Sequence, residues 1–185
     1  MDERAREHAD VLVGWSARIE PGDDVVVDVA EGAHDLAVAV AERLGGIGAN
    51  LTVTYGSDEV TRAYLCAHDG AFEASEGELA LFENADAYLR LGGGRNTAAT
   101  ADVDAGARAA YRRAHSEIRE ARMDTDWVST VHPTRSLAQQ AGMAYEEYQE
   151  FVYDAVLSDW ETLAEEMARV KTRLDGGDTV RIVKE

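Results

Sequence analysis

Residues 24–29 read Asp-Val-Val-Val-Asp-Val. A strand with one wet face alternates apolar and polar residues. This one carries apolar side chains at consecutive positions, so both faces of its sheet must be covered. Further strand patterns follow at 51–55 (LTVTY), 85–91 (ADAYLRL) and 126–131 (DWVSTV), with helical patterns between them. Strand–helix alternation makes parallel strands with right-handed crossovers the compact solution. The expected fold class is α/β: three layers, with a mostly parallel sheet flanked by helices, Rossmann-like or flavodoxin-like.

The intervening helices are marked by period and by their ends. Asp2 to Ile19 places Ala5, Ala9, Leu12, Ser16 and Ile19 on one stripe. His34 to Leu44 repeats Leu36, Val40 and Leu44, and Gly45, Gly46 and Gly48 are expected to end it. Asp58 to His68 is opened by Ser57-Asp58, and a short helix is expected over 78–82. A long helix is expected from Val103 to Arg119, lined by Ala107, Ala110, Ala114 and Ile118. After the fourth strand, Thr134 is a candidate N-cap for a short helix to Ala141, and Gly142 a break before a helix from Tyr145 to Leu157. In that second helix Tyr148, Val152 and Ala155 are expected to face inward. Trp160, Leu163, Met167, Val170 and Leu174 form a 3-4-3-4 stripe, too short for a coiled coil and expected to pack on the domain's own surface. Residues 1–175 read as one α/β domain. Residues 176–185, ending in Thr-Val-Arg-Ile-Val-Lys-Glu, read as a half-exposed strand that either joins this sheet's edge or is the first strand of a further domain.

Charge narrows the partners. The 185 residues hold 36 Asp plus Glu against 18 Lys plus Arg, a net charge of −18, and the only lysines are Lys171 and Lys184. Such a chain repels nucleic acid and anionic membrane surfaces, so neither is an expected partner. The acidic residues are dispersed rather than gathered in a tail. At about 1 M salt the Debye length is about 3 Å, which screens the self-repulsion. A halophilic protein is the expectation. No apolar run approaches the ~18 residues of a membrane span, and the charged N-terminus has no signal-peptide core behind it. The single Cys66 forms no internal disulfide and lies beside Ala63, Tyr64 and Ala67. A buried, inert thiol in a cytoplasmic protein is expected.

No complete catalytic set is visible. "LGGIGAN" (44–50) follows a helix and precedes a strand, the reverse of a dinucleotide fingerprint. "LGGGRNT" (91–97) does follow a strand, but it lacks the Gly-Lys-Ser/Thr of a phosphate loop. His8, His34, His68, His115 and His132 form no His-Glu-x-x-His and have no spaced partner ligand. No Gly-x-Ser-x-Gly elbow is present. Catalytic, cofactor-binding and metal-ligating residues are therefore expected to be none. Open α/β sheets bind ligands at the carboxyl ends of their strands. That rule selects His132, Arg95 and Asn96 as ligand-facing, with Glu31 and His34 at neighbouring strand exits.

Several stretches together carry a resemblance: "LVGWSARIEPGDDVVVDV" (12–29), "EIREAR" (117–122), "DWVSTVHPTRSLAQQAGMAYEEYQEFVYDAVLSDW" (126–160) and "RLDGGDTVRIV" (173–183). The chain resembles the N-terminal part of the thermophilic-type metallo-aminopeptidases, the aminopeptidase S/T and PepS-like family. Residues 126–160 are the most specific portion. The resemblance implies a longer enzyme in which an N-terminal α/β domain precedes a metal-binding domain. That second domain would hold two divalent ions (Zn, Co, Mg or Mn) on Glu, His, Asp and Tyr ligands. No position here matches those ligand motifs. The implied activity is release of N-terminal amino acids from peptides by a full-length homodimer. This domain would shape or gate the active-site chamber and be inactive alone. The alternative reading is a stand-alone small-ligand-binding or oligomerisation α/β module.

Overall fold

The computed structural model describes residues 2–181 and 183. The chain folds as a four-stranded, all-parallel sheet flanked by helices, with strand order β2-β1-β3-β4. The strands are β1 (Asp24–Ala30), β2 (Asn50–Gly56), β3 (Ala87–Gly92) and β4 (Asp126–Val131). The nearly continuous apolar run sits, as its composition demands, on a central strand: Val25, Val26, Val27 and Val29 are all buried.

One face of the sheet is covered by α1 (Glu3–Asp10) and α2 (His34–Ile47). There Val25, Val27, Val29, Leu89 and Leu91 pack with Leu12, Leu36, Val40 and Leu44. The helix α8 (Tyr145–Val156) joins this side through α1. The opposite face carries α4 (Glu76–Glu83) and α6 (Ser116–Asp124) over a smaller core of Val26, Phe82, Tyr88 and Ile118. The remaining helices are α3 (Asp58–Ala67), α5 (Ala105–Ala114), α7 (Arg135–Ala141) and α9 (Trp160–Asp175).

Several ends obey their local chemistry. Thr134 Oγ1 accepts from the Leu137 N–H and caps α7, and Gly142 closes that helix at φ 69°. Ser57 and Ser75 cap α3 and α4. Gly45 and Gly46 do not end α2. The helix continues through them to Gly48, whose φ of 82° makes the left-handed cap.

Further expectations are corrected. First, the N-terminal helix changes pitch: after Asp10 the backbone runs as a π turn (Val11–Ser16). The Ala17 N–H reaches back to the Leu12 carbonyl. The extra residue per turn brings Val13 and Ala17 inward and leaves Ser16 exposed. Second, the long helix breaks at His115, with α5 before it and α6 after it. There the His115 ring donates from Nδ1 to the Tyr111 carbonyl and the Ser116 hydroxyl to the Arg113 carbonyl, side-chain bonds to the backbone of the kind that accompany helix ends. Third, α8 turns Val152 and Tyr153 inward while Ala155 is exposed. Fourth, the α9 stripe stays at the surface: none of its residues is fully buried, Trp160 is half-buried, and Met167 is 63% exposed. Cys66 is also exposed, because α3 buries only Leu65. Of the expected last strand, Ile182, Lys184 and Glu185 lie outside the described residues.

Candidate functional site

Helix α2, which follows β1, covers one face, whereas α5 and α6, which follow β3, lie on the other. The chain direction therefore reverses between β1 and β3, where open α/β sheets place their ligand crevice. Here the reversal point is locked by backbone contact. A Cβ at Gly32 would lie 2.1 Å from the Gly93 carbonyl oxygen and 2.8 Å from Thr134 Cγ2. The Thr134 and Ser136 hydroxyls both approach the Gly94 carbonyl, at 3.2 and 2.5 Å. The His132 N–H donates to the Gly92 carbonyl at 2.7 Å. The glycine-rich loop after β3 is thus a fastened strand exit that seats the loops after β1 and β4.

Beside this lock lies a cleft of about 400 Å³. Glu31 comes from the exit of β1, His34 and Asp35 from the first turn of α2, and Arg95 from the exit of β3. His132 comes from the exit of β4 and Arg135 from α7. Two of the three residues singled out by sequence, His132 and Arg95, meet here. Asn96 does not line the cleft; its Oδ1 accepts from the Ala98 N–H in a local turn.

His132 is 9% exposed and its Nδ1 has no partner. Burial pushes its pKa down, while Asp35 and Asp2 pull it up. His8 is 1% exposed, hydrogen-bonded through Nε2 to Thr130 Oγ1 at 2.9 Å, with Nδ1 unpartnered. Burial, and to a lesser degree His132, pushes its pKa down to about 4. Tyr153 meets His8 edge-on at 6.4 Å, and its hydroxyl is likewise unpartnered and pushed up to about 12 by burial and Asp2. Arg4 lies 4.5 Å from the centroid of the Tyr153 ring and is held by Asp2 at 2.6 Å. Sequence reasoning passed over His8 and Tyr153. The available signal was a histidine set among Ala5, Ala9 and Leu12 on an otherwise apolar stripe.

This set can hydrogen-bond and recognise charge. It does not form a nucleophile–base pair, because Ser136 is engaged with Gly94 and Thr134 rather than with His132. Among the described residues, no three His, Cys, Asp or Glu side chains converge in a way that could hold a metal ion. The donors present therefore do not fit a two-metal centre, and no metal-dependent step is derived from them. No described helix is long and apolar enough to cross a membrane.

The architecture is that of an α/β domain with a candidate ligand cleft at the carboxyl ends of its strands. The sequence profile of the thermophilic metalloprotease (M29) family matches residues 1–184, and the chain belongs to that family. Among solved structures it is similar to wild-type AmpT from Thermus thermophilus, with a TM-score of 0.72 and 23% sequence identity. That match covers 92% of this chain and 49% of AmpT, so the chain spans about half the length of that relative. A cysteine desulfurase from Thermococcus onnurineus NA1 matches only weakly, with a TM-score of 0.40 and 12% identity, over 72% of this chain and 28% of that one. No curated protein sequence matches the chain.

Proposed function

We propose that this chain serves as the N-terminal, non-catalytic domain of a two-metal aminopeptidase that releases N-terminal amino acids from peptides. The observation that carries the reading is the family match over residues 1–184, set beside a fold relative of which the chain spans only 49%. The lack of a converging ligand set among the described residues supports a division of labour, with the metal ions held elsewhere. In that arrangement the carboxyl rim of the sheet walls the chamber into which peptides diffuse. His132, Arg95 and Glu31 present hydrogen-bonding and charged groups there. A cytoplasmic, halophilic, homodimeric full-length enzyme completes the proposal.

The test has two arms. The gene is read past the codon for Glu185, and the product of the whole reading frame is assayed on aminoacyl chromogenic substrates with Zn, Co, Mg or Mn. Metal-dependent hydrolysis by the whole product, and none by residues 1–185, is the expected result. Metal-dependent hydrolysis by residues 1–185 alone would overturn the non-catalytic role.

A further inference from the structure

A second cleft, of about 710 Å³, opens on the opposite face of the sheet. That volume lies within the ~300–1,000 Å³ range of small-molecule sites. Its floor breaks the rule of the fold. Central parallel strands covered on both faces are apolar. Yet the register sets Thr54, Asp28, Arg90 and Ser129 directly side by side across all four strands. Asp28 lies on β1 and Arg90 on β3, the two inner strands, and they are direct cross-strand neighbours of opposite charge. They form no ion pair. Asp28 is engaged by hydroxyls instead: Oδ1 accepts from the Thr54 hydroxyl at 3.1 Å and Oδ2 from the Tyr88 hydroxyl at 3.4 Å.

Above this row, Arg122 reaches in from α6, over the rings of Phe82 and Tyr88 at 5.4 and 5.8 Å. Its Nε is buried without a partner. A buried guanidinium N–H that lacks an acceptor forfeits a charge-assisted hydrogen bond. Asp58, at the start of α3, and Glu78, on α4, complete the charged lining. Five formal charges of both signs thus face one cleft, and among the described residues none of them enters an ion pair. Two guanidinium forks present planar donors suited to a carboxylate. Three carboxylates offer acceptors for an ammonium group.

We propose that this cleft binds a small zwitterion of the amino-acid or short-peptide class, its carboxylate on Arg90 and Arg122 and its ammonium on Asp28, Asp58 and Glu78. The site lies apart from the His132 cleft and does not depend on the peptidase reading.

The test is calorimetric titration of the protein in the presence of a chelator, which removes metal-dependent turnover from the readout. The probes are alanyl-alanine, its N-acetyl form, its C-terminal amide and inorganic phosphate. Saturable binding of the dipeptide is expected, with each blocked form weaker by at least about tenfold, since each loses its charge-assisted contacts. Arg90→Gln, at an exposed side chain, is expected to weaken the dipeptide by at least about tenfold with an unchanged melting curve. No saturation with the dipeptide, or an N-acetyl form that binds equally well, would overturn the zwitterion site. So would phosphate binding more tightly than the dipeptide. Dipeptide binding that is indifferent to both Arg90→Gln and Arg122→Lys would place it outside this cleft and overturn the assignment. The peptidase proposal can fail while this binding stands, and the reverse.

Discussion

His8 sets how the stability of this protein responds to mild acid. It is 1% exposed, and burial pushes its pKa from 6.5 down to about 4. Between those values the unfolded chain binds the proton and the folded chain does not. Stability therefore rises with pH through this window and is lost as pH falls from 6.5 toward about 4. The worked contribution of His8 is about 2 kcal/mol of stability lost between pH 7 and pH 5, a sizeable share of a typical ~5–15 kcal/mol. His132 is shifted in the same direction by its own burial. The measurement is therefore a difference. Urea unfolding of wild type and His8→Gln is followed at pH 5, 6 and 7 at one fixed salt concentration. The glutamine amide keeps a donor for Thr130 but carries no titrating group. The gap between the two proteins is expected to shrink by about 2 kcal/mol, in favour of the variant, on going from pH 7 to pH 5. A gap that stays constant across the three pH values would mean that His8 does not titrate differently in the folded and unfolded chain. His8 would then be hydrated or partnered in the fold.

Other perturbations probe the scaffold and the surface. Gly32→Ala places a methyl group 2.1 Å from the Gly93 carbonyl. It should destabilise by about 3 kcal/mol or more in chemical unfolding, because backbone on both sides must move. Thr134→Ala removes the cap of α7 and the tie to Gly94 and should lose about 1–2 kcal/mol, with Thr134→Ser restoring most of it. Leu163→Glu with Val170→Glu lies on the exposed face of α9 and should change the stability of the chain by less than about 0.5 kcal/mol. A larger loss in thermal unfolding would mean that α9 packs on the domain. Circular dichroism across a salt series should show the fold gaining stability from low salt to about 1 M as self-repulsion among the acidic side chains is screened. Full stability in low salt would remove the halophilic reading.

The sheet was legible from local pattern because strand period and turn chemistry are local properties. Residues 126–131 form β4 with the bounds expected from the sequence. Thr134 and Gly142 act as the caps that their side chains, or the lack of one, predict. The α/β class follows from alternation alone, and the family resemblance rests on contiguous stretches that need no coordinates.

The burial of individual helix residues was less legible, because a single residue inserted into a helical turn rotates everything after it. The π turn at Val11–Ser16 exchanged Ser16 for Val13 and Ala17 in the core. Nothing in the 3-4-3-4 spacing of α9 says whether a surface exists for it to meet, and Leu163, Met167, Val170 and Leu174 are all exposed. The clefts lay further still from sequence. His8 meets a residue 122 positions away, and Asp28 neighbours Arg90 only because β1 and β3 pair in that register. Strand identity, caps and fold class are written in neighbouring residues. Which charged and polar groups converge is decided by strand order and register, which bring together side chains that no local pattern connects.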